Sequence, residues 1–77
     1  MKDSALAANG YVQFLRLPQV CQVTGLRRSM IYQLEAERRF PRRIKIGMRA
    51  VAWIDGEVQQ WVRQRIEQSR KVAEHST

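Results

Sequence analysis

An α+β fold of three helices plus a two-stranded β-hairpin is predicted by three features of the patterning. Apolar residues recur at helical spacing in three stretches, around Val20, Ile31 and Val58. Only Thr24-Gly25 separates the first two stretches, so those helices meet at a tight turn. Between the second and third stretches, two short strand-forming runs flank Gly47, which is a hairpin pattern. At 77 residues, there is room for one domain around one small core.

Residues 1–13 hold no sustained periodicity and include Asn9-Gly10, so a flexible leader is expected there. Phe14 to Leu17 form a short extended lead-in. Pro18 suits a first helical turn, where its missing N–H is not needed. Leu17, Val20 and Cys21 share a face, and Gly25 takes the left-handed conformation that ends the helix. Leu26, Met30, Ile31 and Leu34 form the apolar face of the second helix; Arg28, Ser29, Tyr32, Gln33 and Glu35 lie opposite.

Phe40-Pro41 stops that helix, because proline drives the preceding residue out of the helical region. Arg42–Ile46 and Ala50–Ile54 are the hairpin strands, with Lys45, Met48 and Arg49 at the tip. Asp55 is placed to cap a third helix, whose stripe is Val58, Trp61, Val62 and Ile66. Past Gln68 the stripe is lost, and 69–77 are expected to fray, leaving 14–68 as the domain. The expected core is Leu17, Val20, Cys21, Leu26, Met30, Ile31, Leu34, Ile44, Ile46, Trp53, Val58, Trp61 and Val62. Two helices at a tight turn, then a hairpin, make a small winged helix-turn-helix.

Charge narrows the partner. The net charge is +7, and Arg27 to Arg49 contain eight cations against Glu35 and Glu37, six of those seven net charges. All but Lys45 are arginines, whose planar guanidinium matches phosphate and guanine edges. A polyanion, double-stranded DNA, is the expected partner. The start of the second helix is the element that enters a major groove. Arg27 and Arg28 are placed for guanine edges or phosphates, Ser29 and Tyr32 for phosphate oxygens, and Gln33 for adenine. On the wing, Arg49 is the candidate for minor-groove insertion, with Lys45 and Arg43 on phosphates. Trp53, between Ala52 and Ile54, reads as core rather than as a platform for bases, which weakens an RNA-binding alternative.

Other classes find little support. Cys21 is the only cysteine and His75 the only histidine, without the spacing a zinc site needs, so no metal or cofactor is expected. There is no Ser/His/Asp set and no phosphate-cradling glycine loop, so no enzyme is expected. No run approaches the roughly 20 apolar residues of a membrane span, and no signal peptide is visible. A cytoplasmic protein without a membrane partner is the expectation.

The run from Leu15 to Trp61 resembles the AlpA family of small prophage regulators, relatives of phage excisionases with MerR-like winged-helix folds. The resemblance rests on Arg16, Gln19-Val20, Thr24-Gly25, Arg27-Arg28-Ser29, Ile31-Tyr32, Phe40-Pro41, Ile46-Gly47, Arg49 and Trp53, in that order. It implies DNA binding near promoters or attachment sites, by a transcriptional regulator of a prophage or integrative element or by a recombination directionality factor favouring excision. It places Arg27, Arg28, Ser29 and Tyr32 on the recognition helix and Arg49 at the wing. Two departures stand out. Met30 replaces the usual Thr, and Arg38-Arg39 replaces Glu-Gly or Lys-Gly before Phe40, which frees the second helix to run on to Arg39.

Integrase and RNA polymerase are the candidate protein partners of such a regulator. With no long heptad helix visible, a monomer that assembles on DNA is expected. The alternative outside DNA binding is a basic interaction module docking on an integrase or response regulator through exposed apolar residues such as Val72.

Overall fold

The computed structural model describes the backbone of residues 12–76 and the side chains of 12–72. Most of the expected leader, and the side chain of His75 in the tail, lie outside what is so described. The elements are β1 (Phe14–Leu15), α1 (Leu17–Thr24), α2 (Arg28–Ala36), β2 (Ile44–Lys45), β3 (Val51–Ile54) and α3 (Asp55–Ser76). The fold is a winged helix-turn-helix of three helices and a small sheet.

The sheet has three strands rather than two, in the order β1-β3-β2 and antiparallel throughout. Leu15 pairs with Trp53 on one side of β3, and Ile44 pairs with Ala52 on the other. The lead-in is thus an edge strand, and Asp55 N–H extends its pairing by donating to the Gln13 carbonyl at 2.8 Å. A strand of two residues carries too little pattern to be distinguished from a loop.

Local chemistry sets the helix boundaries. Pro18 sits in the first turn of α1, and the Gln19 side-chain oxygen accepts from Arg16 N–H at 2.8 Å. At the other end Gly25 adopts φ 76° and donates to the Cys21 carbonyl at 2.8 Å. The Thr24 hydroxyl closes the turn, donating to the Val20 carbonyl at 2.8 Å and accepting from Leu26 N–H at 3.1 Å. The tight turn between the helices is held from both its residues.

Helix α2 does not run on to Arg39. It ends at Ala36 in a Schellman motif: Arg39 N–H donates to the Leu34 carbonyl at 2.8 Å and Arg38 N–H to that of Glu35 at 3.0 Å. Arg38 takes φ 61°, a conformation that glycine adopts without steric cost and arginine does not. The stop is written into backbone hydrogen bonding, so it stands without a glycine; the strained position is Arg38, one residue before Arg39, where the family carries its usual glycine.

Helix α3 corrects the expectation in the other direction. It starts at Asp55 directly from β3 and continues past Gln68 to Ser76. Residues 63–72 are all exposed, so no apolar stripe marks them. Arg, Gln, Glu and Lys nonetheless have good intrinsic helix propensity and extend a helix already nucleated by the packing of Val58.

The core gathers Leu15, Val20, Ile31, Leu34, Phe40, Trp53 and Val58, with Leu17, Cys21, Leu26 and Trp61 packed at its margin. Ile44 and Val62 are half-buried. Two expected core residues lie outside. Met30 is 40% exposed because α2 enters the core only at Ile31, Arg27 to Met30 all being exposed. Ile46 is 39% exposed because β2 ends at Lys45 and no helix covers the turn beyond. Conversely, Phe40, expected only to end a helix, is buried and packs edge-on to Trp61 at 4.9 Å between ring centroids.

Truncating Trp53 to Ala should cost about 3–5 kcal/mol, whereas Ile46→Ser should change stability by no more than about 0.5 kcal/mol; urea melts of the two variants check this. Arg38→Gly should stabilise the fold by up to about 1 kcal/mol, seen as a higher urea midpoint at unchanged slope.

Candidate nucleic-acid interface

Helix α2 is positioned by the α1 turn so that its start faces outward. Its N-cap, Arg27, has extended backbone at φ -78°, ψ 157° and makes no side-chain capping bond, so the first-turn N–H groups point away from the domain without a side-chain acceptor. That end of a helix attracts anions through both its free donors and its dipole. Arg28, Ser29, Tyr32 and Gln33 lie three to four residues apart and so share a face, opposite the buried Ile31 and Leu34. All four are exposed, as is Arg27.

The wing carries the other sequence-predicted residues. Its turn is closed by Ile46 and Gly47 N–H groups, which donate to the Ala50 carbonyl at 2.9 and 3.3 Å. Lys45 and Arg49 are exposed along it, and Met48 at the tip is 91% exposed. No hydrogen bond or ion pair joins Lys45 or Arg49 to α2 among the described residues.

Arg43 is the link between the two halves. Its backbone N–H donates to Glu35 Oε2 at 2.7 Å, and its Nε lies 3.6 Å from Glu35 Oε1. Its guanidinium carbon sits 5.3 Å from the centroid of the Tyr32 ring. Glu35 is the side chain that sequence reasoning did not single out. Only 10% exposed, it ties the end of α2 to the strand leading into the wing. Two carboxylates among the cations, Glu35 and Glu37, were visible in the sequence, but the partner of Glu35 lies eight residues away across a turn. Gln33 is also engaged, its Nε2 donating to Glu37 Oε2 at 3.2 Å on the surface.

The arrangement is a basic, outward-facing helix start braced against a basic hairpin. Among the described residues, no three His, Cys, Asp or Glu side chains gather as a metal site would need. Cys21 is a half-buried free thiol beside the core. No helix of the described residues is long and apolar enough to cross a membrane.

The family described as prophage CP4-57 regulatory protein (AlpA) matches residues 13–66. The chain belongs to the AlpA family. The match starts beside β1 and ends on α3 four residues beyond Val62, so it spans the packed part of the fold. Two relatives support it. The chain is 43% identical over 54 residues to the uncharacterized protein ORF88 of Enterobacteria phage P4, covering 70% of this chain and 61% of that protein. It is 37% identical over 60 residues to the DNA-binding transcriptional activator AlpA of Escherichia coli (strain K12), covering 70% of this chain and 86% of that one. No solved structure matches it. AlpA membership places this chain in a family of prophage regulatory proteins.

Because Glu35 satisfies a backbone donor as well as a guanidinium, Glu35→Ala should cost about 1–2 kcal/mol. It should also speed hydrogen exchange in β2 more than in α1, which residue-resolved exchange would show.

Proposed function

We propose that this chain is a sequence-directed reader of duplex DNA that regulates transcription in a prophage or integrative element. The observation that carries the proposal is the exposed start of α2, Arg27-Arg28-Ser29, which has no side-chain cap, with Tyr32 and Gln33 one turn on. A major groove about 12 Å wide accepts one helix in this orientation. Arg27 and Arg28 address guanine edges or phosphate, and Ser29 and Tyr32 hold phosphate oxygens. Gln33 addresses adenine once it releases Glu37, a surface bond of small net worth.

The wing supplies the second contact. Arg49 enters the minor groove, Lys45 lies on the backbone, and the Arg43 guanidinium keeps N–H groups free for phosphate beyond the nitrogen that faces Glu35. Residues 14–68 act as the reading unit. The exposed half of α3 carries Arg63, Arg65, Arg70 and Lys71 against Glu67, so two copies repel along it, and the chain is a monomer before it meets DNA. The Escherichia coli relative is a transcriptional activator, which favours a promoter over an attachment site as the target. RNA polymerase is then the protein partner, in preference to an integrase.

The test is a titration of a library-selected duplex and a random duplex at two salt concentrations. The selected duplex should bind more tightly, with both affinities falling steeply with salt as several phosphate contacts require. Equal affinity for the two duplexes would overturn the proposal. Arg28→Ala and Arg49→Ala should each weaken specific binding by at least about tenfold without lowering the melting temperature. A normal footprint from both variants would remove these residues from the interface. Lys45→Ala should weaken both duplexes alike and flatten the salt dependence by about one charge.

A further inference from the structure

Residues 38–44 and one face of α3 enclose an open groove of about 780 Å³. None of the eight residues assigned to DNA lines it. Its floor is apolar. Pro41 and Ile44 contribute, and Trp61 is pinned there by its indole N–H, which donates to the Arg39 carbonyl at 2.8 Å. The rim is cationic: Arg38, Arg39, Arg42 and Arg65 face it, with Glu57 the one carboxylate in the lining and Glu37 lying 3.5 Å from Arg39 at its edge. The Arg65 guanidinium lies 4.8 Å from the Trp61 ring centroid, which orients its plane and leaves its N–H edges available.

Helix α3 adds a third chemistry. Gln60, Gln64 and Gln68 line the groove at every fourth residue, a ladder of amides about 6 Å apart. Each amide both donates and accepts hydrogen bonds. An extended peptide offers alternating N–H and C=O groups with a two-residue repeat of about 6.6 Å, close to that spacing. Its side chains alternate between two faces, so apolar ones can meet the Trp61 floor while acidic ones reach the arginine rim. From Glu57 to Gln68 the helix rises about 16 Å, the length of roughly five extended residues. A DNA backbone fits less well. It is convex, offers only acceptors to the glutamines and gives the apolar floor nothing.

We propose that this groove holds an extended segment of a protein partner in which apolar and acidic side chains alternate. Because the groove excludes the DNA-assigned residues, the protein holds this segment and a duplex at the same time. The site is independent of the DNA reading and stands or falls separately.

The probes are two blocked synthetic hexapeptides, one alternating Glu and Leu, the other alternating Glu and Ser at equal charge. Both are titrated into the isotope-labelled full chain at physiological salt. The Glu-Leu peptide should shift amide resonances in 38–44 and 57–68 and bind at least about tenfold more tightly than the Glu-Ser peptide. Arg42→Ala and Gln64→Ala, both at exposed positions outside the core, should each weaken it about threefold to tenfold with unchanged melting temperature. A saturating random duplex should leave the peptide affinity within about twofold. Equal affinity for both peptides would reduce the groove to general electrostatic attraction and overturn the proposal. So would shifts confined to α2 and the wing, insensitivity to both substitutions, displacement by the duplex, or no binding.

Discussion

Trp53 in the middle of the central strand is the constraint on which the rest of the fold depends. Its ring is fully buried, and β3 contacts β1, β2, α1 and α3. One strand of four residues therefore closes the sheet on both edges and supports two helices, then turns into α3 with no intervening loop. A domain this small has little apolar area to bury, so concentrating its elements around one large side chain is how it reaches a cooperative core. The wing has no core of its own and inherits its position from β3.

The candidate interface is held by a second, polar constraint. Helix α2 joins the core through Ile31 and Leu34, and a hydrophobic contact alone tolerates sliding. Glu35 removes that freedom by bonding the Arg43 backbone as well as its guanidinium, and Tyr32 stacks on the same cation. The distance between a helix in one groove and a wing in the next has to match the duplex, so a fixed link at this point serves recognition as well as stability. Arg43 thereby has two tasks, bracing the wing and facing the partner.

The arginines of the central segment separate into two surfaces. Arg27, Arg28, Arg43 and Arg49 belong to the α2 and wing side, Arg38 and Arg39 turn toward α3 and Trp61, and Arg42 stands at the boundary, lining both the groove and the concavity beside Tyr32 and Arg43. The Schellman stop at Arg38 brings about this division, because it reverses the chain one turn earlier than a helix running to Arg39 would. Cations that form one cluster in sequence thus face different partners in space.

Much of this was determined by the sequence alone. The three helices, the turn at Thr24-Gly25, the hairpin around Gly47 and the exposure of Arg27, Arg28, Ser29 and Tyr32 follow from local periodicity and turn chemistry, which act over a few residues. AlpA membership was also legible, since its motif residues lie in order along the chain. Tertiary structure decided what depends on distant partners. It made Phe14-Leu15 an edge strand of β3, buried Phe40 against Trp61, exposed Met30 and Ile46 where no element covers them, and joined Glu35 to Arg43. It also carried α3 past Gln68, where helix propensity persists without a buried face. The edge strand, the burial of Phe40 and the link from Glu35 to Arg43 depend on neighbours brought close only by folding. The exposure of Met30 and Ile46 depends on the absence of such neighbours, and a local pattern encodes neither.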